Sequence, residues 1–208
     1  MKKLRIVLFL VVLFVAGKSS YAQDDTRNVW TGGKPKKIVV DGDITVVKNE
    51  RTINFEISTK GFKIGAKEQR DTLYEATRVK EFNKSKEGSG DKWLNEWNET
   101  KRTFKPAFVE GFNSVVSKKG INEVKDDINS MYTFLIRPKQ MMEFMGSIYF
   151  IVDMDVVLTK DRNTIIATVT FPLLANTKKS KQFKTKFAND YYTAGWYLGK
   201  YFKDKVYK

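Results

Sequence analysis

Asp153 and Asp155 stand two residues apart in Ser147–Thr159, a stretch that alternates apolar and polar side chains. On a strand that spacing turns both carboxylates to one face. There a pair could bind a metal ion or share a proton. Their neighbours on that face are Tyr149, Ile151 and Val157, and the opposite row (Ile148, Phe150, Val152, Met154, Val156, Leu158) is the more continuous apolar one. The pair is therefore expected on the solvent side of a sheet, with basic residues on adjacent strands. Ser89-Gly90-Asp91-Lys92 matches the S-x-x-K pattern of serine acyl-transfer enzymes, but no K-T-G or S-D-N triplet accompanies it. Gly32-Gly33-Lys34 lacks the spacing of a phosphate-binding loop.

Two further groups suit binding better than catalysis. Trp93 and Trp97, four apart, share one helix face; they could stack on a sugar or pack into a core. Asn176–Lys186 reads as a lysine-rich loop, in which Lys178, Lys179, Lys181, Lys184 and Lys186 crowd together beside Tyr191 and Tyr192. This is the best candidate for a contact with an anionic ligand.

What is missing narrows the chemistry further. The chain has no histidine and no cysteine. Ser-His and Cys-His catalysis, thiolate and imidazole metal sites, and histidine pH switching are all excluded. An enzyme could still work with carboxylates alone, since glycoside hydrolysis needs just two carboxyl groups flanking a bond. A carboxylate-based glycan-active hydrolase, with Asp153 and Asp155 as the suspected pair, is the competing class. No cofactor is expected.

The elements that would position these residues follow from periodicity. Lys37–Val47 is β-rich, with a turn at Asp41-Gly42-Asp43, and Thr52–Ser58 alternates with Ile53, Phe55 and Ile57 on one face. Gln69–Phe82 reads as a helix carrying Leu73, Ala76, Val79 and Phe82, and Asp91 is a plausible N-cap for a second. Pro106 suits the first turn of a third, with Phe108, Val109, Phe112, Val115 and Val116 inward and Gly120 at its C-cap. Strands follow at Met131–Arg137, Ser147–Thr159 and Thr164–Phe171, the last two joined by a turn at Asp161-Arg162-Asn163. Phe187–Phe202 closes the chain as a helix, with Gly195 and Gly199 suited to close packing. The expected fold is α+β: a single domain, mostly antiparallel sheet, with helices packed on one face.

The chain of 208 residues is 41% hydrophobic and carries a net charge of +14. Residues 1–22 have the form of a signal peptide: Lys2, Lys3 and Arg5, the apolar run Ile6–Ala16, then Ser20-Tyr21-Ala22 before Gln23. The run is too short for a permanent span. Cleavage would remove four cations (Lys18 is the fourth) and no acid, so +14 falls to +10. Residues 23–36, with Gly32-Gly33 and Pro35, read as a flexible leader, and 37–208 as the domain. The expected location is periplasmic or secreted, soluble, with no lipid-attachment cysteine and nothing membrane-spanning after cleavage. A basic exported protein meets lipid head groups, acidic polysaccharide or an acidic partner protein rather than nucleic acid.

The runs GDITVVKNERTINFEIS at 42–58, GSGDKWLNEW at 88–97, FKPAFVEGFN at 104–113 and AGWYLGKYFKD at 194–204 resemble a family of uncharacterised exported proteins of anaerobic Gram-negative bacteria. The Ala22-Gln23 junction is similar to cleavage sites of that group. The resemblance implies export and no particular activity. Together these readings lead to a non-enzymatic binding or adaptor protein of the cell envelope. Its partner would be an anionic envelope component or a protein, with a glycan-binding module on Trp93 and Trp97 as a further alternative.

Overall fold

A computed structural model describes residues 37–65, 69–117, 123–144, 147–176 and 183–207. The signal peptide, the leader, the Gly120 cap and Lys178, Lys179 and Lys181 lie outside the described residues. All described residues fall in one compact unit, Pro35–Lys208.

The sheet is built from β1 (Val39–Gly42), β2 (Thr52–Ile57), β3 (Lys63–Ile64), β4 (Gln69–Arg70), β5 (Lys125–Asp126), β6 (Tyr132–Phe144), β7 (Ser147–Leu158), β8 (Asp161–Thr170) and β9 (Leu174–Asn176). Four helices accompany it: α1 (Asp71–Ser85), α2 (Ser89–Arg102), α3 (Phe104–Val116) and α4 (Phe183–Tyr201), the last continuing into a π turn, Phe202–Val206. The main strand order is β1-β8-β7-β6-β2-β5. The α+β class holds. The mostly antiparallel sheet does not: β2 runs parallel to both β6 and β5, and β3 runs parallel to β6, so the sheet is mixed. The reason lies in the connection. Helices α1, α2 and α3 intervene between β2 and β6, and a crossover of that length lets two strands align in the same direction. Alternation of side chains, the signal in the sequence, fixes a strand's faces and says nothing of its direction.

The apolar rows occur as expected on β2 and β7, where Ile53, Phe55, Phe150, Val152, Met154 and Val156 are buried. Helices α3 and α4 cover that face. Phe55 lies 6.2 Å from both Phe108 and Phe112 of α3, and Phe150 lies 4.8 Å from Tyr191 of α4. The two helices touch through their main chains. A Cβ added to Gly195 would sit 2.0 Å from the Phe108 carbonyl oxygen, and one added to Gly111 would sit 2.1 Å from that of Tyr192. Only glycine permits such an approach.

Three local readings change. Ile44–Val47, rich in β-branched residues, is a 3₁₀ turn rather than a strand, because the Asp43 carboxylate accepts from the Thr45 N–H at 2.9 Å and caps it. The β7–β8 turn falls at Thr159-Lys160, with Asp161 already paired. Ile165, expected inward, is 55% exposed, since the β7–β8 register slips on either side of Val157 and a one-residue slip reverses a side chain's face.

Candidate functional site

Asp153 and Asp155 do share a face, opposite the helices, and both are buried, at 5% and 3% exposure. Their partners come from β6, which pairs with β7 across Arg137↔Asp153 and Leu135↔Asp155. Arg137 Nη2 donates to Asp155 Oδ1 at 2.6 Å, and Thr168 Oγ1 of β8 donates to the same oxygen at 2.9 Å. Lys139 forms an ion pair with Asp153. Lys139 is the extra residue of a bulge between Pro138 and Gln140, which re-aims it towards Asp153. The polar rows continue through Asn54 Nδ2 to Thr133 Oγ1 at 3.1 Å, Thr133 to Thr159 at 2.9 Å, and Arg162 to Glu56 at 3.2 Å.

This arrangement ties strands together. Both carboxylates project from one strand to one side, each against a cation. Both are thereby held in the sheet by residues of the adjacent strands. Among the described residues no cluster of three or more acidic, histidine or cysteine side chains could hold a metal ion. The sequence held a readable signal for the pairing: Arg137-x-Lys139 matches Asp153-x-Asp155 if β6 and β7 are antiparallel. The register that joins them comes from the fold.

The tryptophans are core residues. Trp93 is 9% exposed and Trp97 is fully buried, stacked on each other at 6.1 Å, and Trp97 Nε1 donates to Glu75 of α1 at 2.8 Å. Neither offers a ring face to a sugar. The motif serine is engaged as well: Ser89 Oγ lies 2.7 Å from the carbonyl oxygens of Phe82 and Lys86, so its hydroxyl closes the α1–α2 turn.

A groove of about 520 Å³ runs beside α3, lined by Lys105, Val109, Glu110, Asn113, Glu123 and Asp126 among others. Sequence reading did not find it, because its two sides come from α3 and from β5 and the residues before it. Lys105 Nζ bridges it to Asp126 Oδ2 at 2.6 Å. Asn113 pins the segment before β5 through reciprocal hydrogen bonds with the Val124 backbone, at 3.0 and 3.1 Å. These contacts explain the groove's shape as a structural seam.

Of the lysine-rich stretch, Lys184 and Lys186 lie not in a loop but in the first turn of α4, which begins at Phe183 rather than Phe187 and whose first turn holds no acidic residue. From Phe187 onwards that helix is fixed: Phe187, Tyr191, Ala194, Leu198 and Phe202 are all buried. Tyr191 stacks on Phe104 at 4.4 Å. Its burial, together with the charge of neighbouring Asp190, pushes its phenol far above the ordinary tyrosine range.

No family model and no curated protein matches the chain. Among solved structures it is similar to a point variant of the PelC dodecamer from Paraburkholderia phytofirmans, with a TM-score of 0.34 and 9% identity, over 78% of this chain and 98% of that one. A second PelC dodecamer structure from the same organism gives a TM-score of 0.34 and 8% identity, over 78% and 96%.

Proposed function

We propose that the chain is an exported, non-enzymatic binding or adaptor protein of the cell envelope. It holds an anionic envelope component, or an acidic partner protein, through the lysine-rich segment 178–186. The observation that carries this reading is the placement of Lys184 and Lys186. Cations in the first turn of a helix oppose the helix dipole and cost local stability. Here they open a helix that is otherwise locked into the core. An anion at that end would meet both the lysine charges and the positive end of the dipole. Export, on this reading, follows from residues 1–22.

The test is capture from native envelope extract at low and high salt, with wild type and a variant in which Lys178, Lys179, Lys181, Lys184 and Lys186 are all Gln. Binding that weakens steeply with salt and is lost in the variant is the expected result. Removing first-turn cations does not weaken α4, so loss of binding would not be loss of fold. Equal capture by the variant would refute the reading.

A further inference from the structure

One margin of the sheet ends in a segment whose side chains complement themselves. The order β1-β8-β7-β6-β2-β5 makes β1 and β5 the outer strands. At β5 the margin is only Lys125–Asp126, and Asp126 is taken by Lys105 Nζ and the Phe55 N–H. At β1 it is longer. Val39–Gly42 pairs with β8 alone among the described residues, so its other side carries backbone donors and acceptors with no described strand against them. Gly42, at a φ of 92°, and the Asp43-capped turn after it end the segment.

The side chains of Lys37-Ile38-Val39-Val40-Asp41 alternate along this margin. Ile38 and Val40 pack against the core yet are only half-buried. Lys37, Val39 and Asp41 are exposed, Val39 at 52%. Val39 and Asp41 share the face of Thr170 and Thr168, their partners on β8, and that face lies opposite the helices. Neither Lys37 nor Asp41 is in an ion pair with a described residue. The next charge along the chain, Asp43, caps Thr45 and is again opposite in sign to Lys37.

We infer that β1 pairs antiparallel with β1 of a second copy, about a two-fold axis at Val39. Register selects this occupant. Outward backbone groups alternate along a strand, so each residue must face one of its own parity across the axis. Centred on Val39, the pairing sets Lys37 against Asp41 twice, Ile38 against Val40 twice, and Val39 against itself. Every opposed pair is then opposite in charge or apolar on apolar. Centring on Val40 would set Val39 against Asp41, and centring on Ile38 would set it against Lys37. A charge on an edge strand ordinarily repels a second strand; here two charges of opposite sign stand equally far from Val39, and a second copy meets them as partners. The contact is isologous. The two sheets become one, the helices of both copies lie on the same side, and Ile38 and Val40 are covered. The paired backbone is short against the roughly 800 Å² a side of a stable interface, so the dimer is weak and reversible. The net charge of +14 opposes approach at long range, which physiological salt screens beyond about 8 Å. The inference uses a different surface from the lysine segment and does not rest on it.

Because the chain has no cysteine, a single thiol can be placed at Val39→Cys and, as a control, at Leu73→Cys on α1, which is 56% exposed. Opposed Cα atoms of an antiparallel pair stand about 4.5 or 5.5 Å apart, within the span a disulfide bridges. Under a mild oxidant at physiological salt, the thiol at 39 should give covalent dimer about tenfold faster than the thiol at 73. Sedimentation equilibrium of the cysteine-free protein reads the charges. Lys37→Asp and Asp41→Lys, each alone, turn both charge pairs into like-charge pairs and should weaken the dimer about tenfold. The two substitutions together should restore it, with wild-type circular dichroism throughout. Equal crosslinking at 39 and 73, a wild type whose mass does not rise with concentration, single variants as tight as wild type, or a double variant no tighter than the singles would each overturn the inference. The five-lysine variant should dimerise at least as well as wild type; losing the dimer there would place the contact at 178–186 instead.

Discussion

Helices α3 and α4 meet main chain to main chain, whereas α1 has no buried residue at all. Its attachment to α2 is made at side-chain tips. Tyr74 stands 6.0 Å from Trp93 and 6.2 Å from Trp97, Phe82 stacks on Trp93 at 5.9 Å, and Glu75 accepts from both Trp97 Nε1 and Lys101 Nζ. The contrast is between two ways of fastening a helix. Backbone contact tolerates no added atom, because carbonyl oxygens cannot swing aside. Side-chain contact can loosen by degrees, so α1 should open locally at a free energy well below that of the whole fold.

The largest effect should come from breaking the first kind of contact. Gly195→Ala puts a methyl 2.0 Å from the Phe108 carbonyl oxygen, forcing α3 and α4 apart at a cost of about 3 kcal/mol or more. Urea unfolding measures it, and an unchanged midpoint would mean that the two backbones are not in contact. Glu75→Gln probes the second kind. The pair with Lys101 is partly solvent-exposed on both sides, so the loss should be only about 1 kcal/mol. It should appear as faster hydrogen exchange in α1 with α4 unchanged; equal acceleration in α4 would make the two regions one cooperative unit.

Tyr191→Phe should matter least near neutral pH. The hydroxyl is buried on α4 with no hydrogen-bond partner among the described residues, so its removal should be neutral or stabilise by up to about 1 kcal/mol. Its phenol is raised by burial and by Asp190. The stability tied to the neutral phenol is therefore fully present below pH of about 10, the unfolded value, and is lost as pH rises above it. Tyr191→Phe should flatten that alkaline fall in a pH series of unfolding midpoints, leaving the smaller contribution of Tyr207, also raised by burial.

What could be read beforehand follows the range of each interaction. The β7 row Ile148–Val156 and the α4 stripe Phe187, Tyr191, Leu198 and Phe202 are set by period, and the structure buries them. The β-branched run Ile44–Val47 misled because one capping carboxylate, Asp43, outweighs strand propensity there. The α1 stripe misled in a different way: its helical period is real, yet Leu73 remains 56% exposed and no residue of α1 is buried. At the candidate site, Asp153 and Asp155 could be placed on one face, but the ion pair of Asp153 with Lys139 depends on a bulge that no local pattern announces, and that of Asp155 with Arg137 on the β6–β7 register. Trp93 and Trp97 had two open readings, and their burial closes one.

The parallel alignment of β2 with β6 also bears on how the chain assembles. β6, β7 and β8 follow one another closely in sequence and pair with their nearest neighbours. The partners Asn54 and Thr133, in contrast, lie 79 residues apart in sequence, with three helices between them. Closing that loop costs entropy before any contact repays it. The β6–β8 stretch is therefore the local part of the sheet, and β2 must be brought to it across a long loop, as must β1, whose Val39 pairs with Thr170 across a still longer one.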